Sequence, residues 1–166
     1  MSASEVEIMT MATTLARCLS NKQTQFDTVR HPYSPSSSMA TAQAANIPGD
    51  RMAKTVLLED GSGYVAAVIP STHHLKLSEI CEQTGRKLSL AHEDGVREVF
   101  SDCDHGAIPP VGMAYGTQTW LDDSLLTHPD VYFEAGDHQE LVHMSTDQFL
   151  ELMADARRGH FAHRMM

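Results

Sequence analysis

Three short stretches carry residue types that can do chemistry. Lys54 stands at the head of the apolar run Thr55-Val56-Leu57-Leu58. A lysine there is either a solvated strand-end charge or a cation at the mouth of a pocket, holding a phosphate or a carbonyl oxygen. The stretch Asp104-His105-Gly106-Ala107-Ile108-Pro109-Pro110-Val111-Gly112 sets two prolines between glycines. Such a loop has little conformational freedom to lose. It is either a plain turn or a stiff presenter of backbone N–H groups, as an oxyanion site or ligand clamp requires. Ile108 and Val111 are either pocket walls or anchors packed on the core. Gly136-Asp137-His138 follows the strand-like run Val131–Ala135. Gly-Asp is a common turn pair, and a histidine beside it can orient a substrate group or move a proton near neutral pH.

Other chemistries find less support. His73-His74 is an adjacent pair whose side chains diverge on a strand. His160 and His163 are spaced to share a helix face, but neither pair has a carboxylate at the spacing of a helical zinc site. No metal site is therefore expected, and no cofactor. There is no Gly-x-Ser-x-Gly, P-loop or Gly-x-Gly-x-x-Gly motif, which disfavours a serine nucleophile or a nucleoside-triphosphate enzyme. Cys18, Cys81 and Cys103 are odd in number and far apart, so they read as free thiols in a reducing compartment.

The elements that must position these residues follow from periodicity. Glu5–Leu19 has helical spacing with Ser4 as cap, and Gln25–His31 contains a short strand broken by Pro32 and Pro35. Ser36, Ser37 and Ser38 lead an Ala-rich helix to Ile47. Ala53–Leu58 and Tyr64–Ile69 form a hairpin around Glu59–Gly63. A helix over Leu77–Thr84 ends at Gly85, a strand covers Lys87–Leu90, and Val96, Val99 and Phe100 mark another helix. Ser101–Gly116 is a loop, and strands are expected at Thr117–Leu121, Val131–Ala135 and Leu141–Met144. Ser145 and Gln148 make a capping box for a helix over Thr146–Ala156. Arg157–Met166 reads as a loosely held basic tail.

The pattern is mixed α/β or α+β, with no internal repeat and no dividing linker. With 166 residues and 42% hydrophobic content, the chain suits one domain, residues 1–166, with an N-terminal helix in residues 1–20 and the tail at 157–166. No run reaches the roughly 18–20 apolar residues of a membrane helix, and no secretory signal is evident. A cytoplasmic protein without membrane partners is expected. The net charge of −10 repels long nucleic acids. It argues against DNA but leaves room for a grip on a few terminal nucleotides through a local basic cluster. Arg30, Arg51 and Lys54 are one candidate cluster, and Arg157, Arg158 and Arg164 another.

Taken in order, these segments resemble the YbaK/prolyl-tRNA editing domain family. The matching pieces are His31-Pro32, the Ala-rich helix, Ala53-Lys54-Thr55-Val56-Leu57-Leu58 and Ala66-Ala67-Val68-Ile69-Pro70. Gly106-x-x-x-Pro110 looks like the family's Gly-x-x-x-Pro loop, and Val131-Tyr132-Phe133-Glu134-Ala135-Gly136 like its late strand and turn. The likeness runs from about Gln25 to Leu152.

The resemblance implies a compact fold around a curved, mixed β-sheet flanked by helices. It implies hydrolysis of the ester of a mischarged tRNA in trans, with a small amino acid such as alanine or cysteine removed. Lys54, Gly112 and His138 are the catalytic candidates it suggests. His31, Thr55, Gly106, Ile108, Pro109, Pro110 and Gly136 are the substrate-binding ones. The implied partners are the aminoacylated tRNA acceptor end and an aminoacyl-tRNA synthetase. An aminoacyl ester is already activated, so such a site needs only to place a water, fix the carbonyl and stabilise an oxyanion. The alternative is a non-catalytic module of the same fold that binds a tRNA 3′ end, a small ligand or a synthetase. A metal-dependent hydrolase using the histidines is a third, weaker reading.

Overall fold

The computed structural model describes residues 11–31 and 38–165. The expected cap at Ser4, the first half of the N-terminal helix, and Pro32, Pro35, Ser36 and Ser37 lie outside that range. Helix α1 covers Thr13–Asn21 and strand β1 Asp27–Arg30. Helix α2 (Ser38–Ala44) precedes the hairpin of β2 (Met52–Asp60) and β3 (Gly63–Pro70). The hairpin turns through Gly61-Ser62, where the Asp60 carboxylate accepts the Ser62 N–H at 2.7 Å. Next come β4 (His73–Leu75), α3 (Leu77–Thr84), β5 (Ser89–Leu90) and α4 (Glu93–Val99). A long loop then leads to β6 (Gln118–Asp122), β7 (Asp130–Glu134) and β8 (Glu140–Ser145). Helix α5 (Thr146–Leu152) and strands β9 (Arg157–Gly159) and β10 (Ala162–Arg164) end the chain. The capping box forms, with the Ser145 hydroxyl accepting the Gln148 N–H at 3.2 Å. Gly85 ends α3 in the left-handed conformation.

The main sheet runs β1-β8-β7-β2-β3-β6-β9, with β5 also joined to β2. It is mixed: β7 with β2, β3 with β6 and β6 with β9 are parallel, and the remaining pairs are antiparallel. Strand β3 is buried from Val65 to Pro70, as expected for a central strand covered on both faces. Its side chains alternate between two cores. Val68 joins Leu15, Leu19, Phe133, Phe149 and Leu152 under α1 and α5. Ala67 and Ile69 join Ile80, Trp120 and Phe161 under α3.

The C-terminal segment is not a loose tail. Strand β9 pairs with β6, and β10 pairs with β4, a strand the sequence pattern missed. Asp122, 0% exposed at the end of β6, holds the connection between them. Its carboxylate accepts the backbone N–H groups of Phe161 at 2.7 Å, Ala162 at 2.9 Å and Ser124 at 3.0 Å. Phe161 is thereby fixed in the core. A basic composition misled here because the pairing is long-range and the binding charge lies about forty residues earlier in the chain.

Replacing Asp122 with alanine strands two buried N–H groups. It should lower stability by about 3 kcal/mol. The measurement is a urea unfolding curve: the midpoint should fall with little change in slope.

Candidate functional site: a breach in the sheet

Strands β7 and β2 pair in parallel over two residues only, Met52 with Tyr132 and Ala53 with Phe133. On the same edge of β2, β5 pairs from Leu58, and the Ala91 N–H donates to the Leu57 carbonyl at 3.0 Å. Between these contacts the sheet is breached, and a cavity of about 380 Å³ opens there. Ala53, Lys54 and Thr55 of β2 line it, with Glu134 from the end of β7 and Ser71 after β3. Gly106 and Ile108 of the long loop, Met39 of α2 and Met165 beyond β10 complete the described wall.

Three polar groups in this cavity lack ordinary partners among the described residues. Lys54 makes no ion pair, and its burial pushes its pKa down. The Thr55 hydroxyl is buried without a hydrogen bond. Glu134 is 2% exposed, and neither carboxyl oxygen meets a partner of ordinary hydrogen-bond geometry. Burial raises the Glu134 pKa from 4.5 to about 7. The Thr41 hydroxyl approaches closely enough to favour the charged form, and the Asp137 carboxylate opposes it. Buried polar groups left without partners are costly, and three in one hollow suit a ligand that satisfies them.

The loop wall is held from behind. His138 is 1% exposed, and its Nε2–H donates to the His105 carbonyl. The Asp104 N–H donates to the Gly136 carbonyl at 2.8 Å. Asp137 fixes the turn by accepting the N–H groups of Gln139 and Glu140, each at 3.0 Å. His138 itself sits at φ 60°, an uncommon backbone state for a residue with a side chain. Gly136, at φ 104°, lies where a Cβ would come within 2.8 Å of the Ala12 Cβ. These residues grip the Gly106 loop.

Of the residues singled out from sequence, the structure brings Lys54, Thr55, Gly106 and Ile108 together at the cavity. Ile108 also packs on Leu57, Ala66 and Phe100, so it is wall and anchor at once. Val111 is an anchor, fully buried in the main core. His138 and Gly136 stand behind the loop, as described. Pro109 and Pro110 are buried beneath it. Gly112 serves packing: a Cβ there would lie 2.5 Å from Thr119 Oγ1 and 2.8 Å from the Ala66 Cβ. His31 is buried at the end of β1, its N–H donating to the Gln139 carbonyl at 2.9 Å. Of the loop N–H groups expected to serve an oxyanion, Ala107 and Gly112 are spent on Asp104 and Pro110 carbonyls. Those of Gly106 and Ile108 have no internal acceptor among the described residues.

Sequence reasoning missed Glu134 as a site residue. The signal was an acid one residue past Phe133 in an apolar strand, on the opposite side from Val131 and Phe133. Met165 had no signal, since its place depends on β10. Most of the two basic clusters is paired with carboxylates, Lys54 and Arg157 being the members without an ion pair among the described residues. Arg30 pairs with Glu140, Arg51 with Asp130, Arg158 with Asp123 and Arg164 with Asp50. His160 and His163 share no helix: His163 is in β10 and reaches Glu79 at 2.8 Å. Among the described residues no group of three or more His, Cys, Asp or Glu side chains can hold a metal ion. The three cysteines are free, and burial pushes the Cys103 thiol up to about 12, which leaves it a poor nucleophile. No described helix is long and apolar enough to cross a membrane.

Glu134 is ionised more readily in the unfolded chain than in the fold. As pH rises from 4.5 towards 7 the unfolded state releases its proton first, so stability falls, and above 7 the full penalty, ~3 kcal/mol, applies. Glu134→Gln should therefore be more stable than the parent at pH 8 and equal to it near pH 4. Thermal melts across that range check the sign, and a variant that is less stable at pH 8 contradicts it.

Comparison with known proteins bears on the same residues. The model of the aminoacyl-tRNA editing domain matches residues 34–152. Among curated proteins none matches significantly. A proposed trans-editing enzyme for prolyl-tRNA synthetase superposes with a TM-score of 0.78 at 22% identity, covering 92% of this chain and 96% of its own. A scaffold protein used for computational epitope grafting gives 0.79 at 19% identity, with 93% and 97% covered. A signal transduction protein candidate from Marinobacter aquaeolei gives 0.70 at 20% identity, with 90% of this chain but 30% of its own covered. At these identities the structures establish the fold alone, whereas the family match spans most of the chain, Lys54, the Gly106 loop and Glu134 included. The chain belongs to the aminoacyl-tRNA editing domain family.

Proposed function

We propose that this protein hydrolyses the ester between a small amino acid and the 3′-terminal adenosine of a mischarged tRNA, acting in trans. The observation that carries the reading is the convergence of Lys54, Thr55 and Glu134, all without ordinary partners, in one cavity with Gly106 and Ile108. Its volume of about 380 Å³ lies at the low end of the roughly 300–1,000 Å³ typical of ligand sites. That suits a terminal ribose with a small aminoacyl group such as alanyl or cysteinyl, and size would exclude larger cognate residues.

Water adds to the ester carbonyl carbon, and the C–O bond to the ribose then breaks, with the ribose oxygen taking a proton. Lys54 meets the terminal phosphate or the carbonyl oxygen as a compact cation. The N–H groups of Gly106 and Ile108 are the donors left for the oxyanion, held at a fixed point by His138 and Gly136. A neighbouring ribose hydroxyl helps to place the water. No protein nucleophile is needed because the ester is already activated. With most of its arginines paired to carboxylates and a net charge of −10, the protein would contact few phosphates.

Lys54→Ala should fold normally, since it removes an unpaired and partly buried charge, yet lose on the order of 100-fold in kcat/KM for deacylation. A panel of alanyl-, cysteinyl-, seryl- and threonyl-tRNAs is the test. Wild-type rates in the variant would remove Lys54 from the mechanism, and no turnover of any substrate by the parent would overturn the reading. The salt dependence of KM should also be shallow, with a log–log slope of about 1 to 2, reflecting one or two phosphate contacts. A slope near that of proteins gripping many phosphates would contradict an end-only grip.

A further inference from the structure

The cavity holds a second charged pole that ester hydrolysis alone does not require. Glu134 closes the end of β7, lines the hollow and is 2% exposed, and apart from the Thr41 hydroxyl its two carboxyl oxygens meet no donor among the described residues. The cavity's own cation does not reach it: Lys54 and Glu134 both line the cavity, with no ion pair between them among the described residues. A site that keeps an ammonium and a carboxylate apart fits a ligand with an anionic or electron-rich pole at one end and a cation at the other. An aminoacyl adenosine has that form, with phosphate and carbonyl oxygens on one side and the α-ammonium on the other.

We propose that the Glu134 carboxylate accepts the α-ammonium of the aminoacyl group, so that the site selects esters with a free amine over N-acylated ones. This rests on the ester-hydrolysis reading above and narrows its substrate class. An ammonium supplies the donors and the charge that a buried carboxylate lacks. An α-amino group titrates at roughly 7.7–8.0, and Glu134 at about 7. The pair can therefore form near neutral pH by shifting one proton from carboxyl to amine, without drawing on solvent. N-acylation removes the positive charge and leaves a single amide N–H beside added bulk, so the contact loses its charge and most of its donors. The Thr55 hydroxyl, also unpartnered in the cavity, does not change this selection because it can serve as donor or acceptor.

The test sets the parent protein and Glu134→Gln against the same four aminoacyl-tRNAs, each with a free and an N-acetylated amine. The parent should prefer the free amine by roughly 10- to 100-fold in kcat/KM. The variant should lose most of that preference, through turnover of the free-amine substrates that falls much further than turnover of the N-acetylated ones. Equal rates on both forms by the parent would overturn the assignment. So would an equal fall on both forms in the variant, which is what loss of a general base would produce. Equilibrium binding of 3′-alanylamino-3′-deoxyadenosine and its N-acetyl derivative, whose amide links resist hydrolysis, keeps the two readings separable. A Glu134-dependent preference for the free amine supports the assignment even if no ester is hydrolysed, and its absence overturns it.

Discussion

The site depends on an interruption of hydrogen bonding along one edge of β2. Strand β7 leaves that edge after Ala53 and β5 joins it at Leu58. A continuous sheet would have covered Lys54 and Thr55 with a neighbouring strand and satisfied Glu134 or excluded it. The gap instead leaves Lys54, Thr55 and Glu134 lining one hollow, with the Thr41 hydroxyl beside Glu134 as their one polar side-chain partner among the described residues. Burying each without a partner is unfavourable, and together they describe the complement of a polar ligand. The rest of the fold supplies rigidity on either side, with both faces of β3 buried and helices closing both cores.

The long loop shows how a weak local signal becomes a defined wall. Two prolines and two glycines make a stiff segment but do not say where it points. Direction comes from the β7–β8 turn, where His138 holds the His105 carbonyl and the Gly136 carbonyl accepts from Asp104. The strained backbone at His138 persists because Asp137 and the burial of the ring over-determine it. The histidine thus acts on the cavity through the loop and not by touching what the cavity holds.

Charge is organised by the same economy of free groups. Seven of the basic side chains are paired with carboxylates: Lys22, Arg30, Arg51, Arg86, Arg97, Arg158 and Arg164. An acidic protein of this kind gains little from long-range attraction to RNA. On the proposed reading, recognition would rest on short-range contacts in the cavity, where low local dielectric makes an unpaired ammonium or carboxylate count for more than it would at the surface.

Much of the secondary structure was legible from residue order, because alternation in β2, β3, β7 and β8 and the Ser145 cap are local signals. Lys54, Thr55, Gly106 and Ile108 were legible as a set through their motifs. The sequence by itself determined most of the strands and helices, β4, β9 and β10 excepted, and which residues are chemically able to act. Only the tertiary structure decided that Glu134 and Met165 reach the cavity, that Gly112 serves packing, and that the basic C-terminal segment is two strands tied to Asp122. The reason is distance along the chain: local periodicity records which face a residue takes, but not which remote strand, carboxylate or carbonyl will meet it.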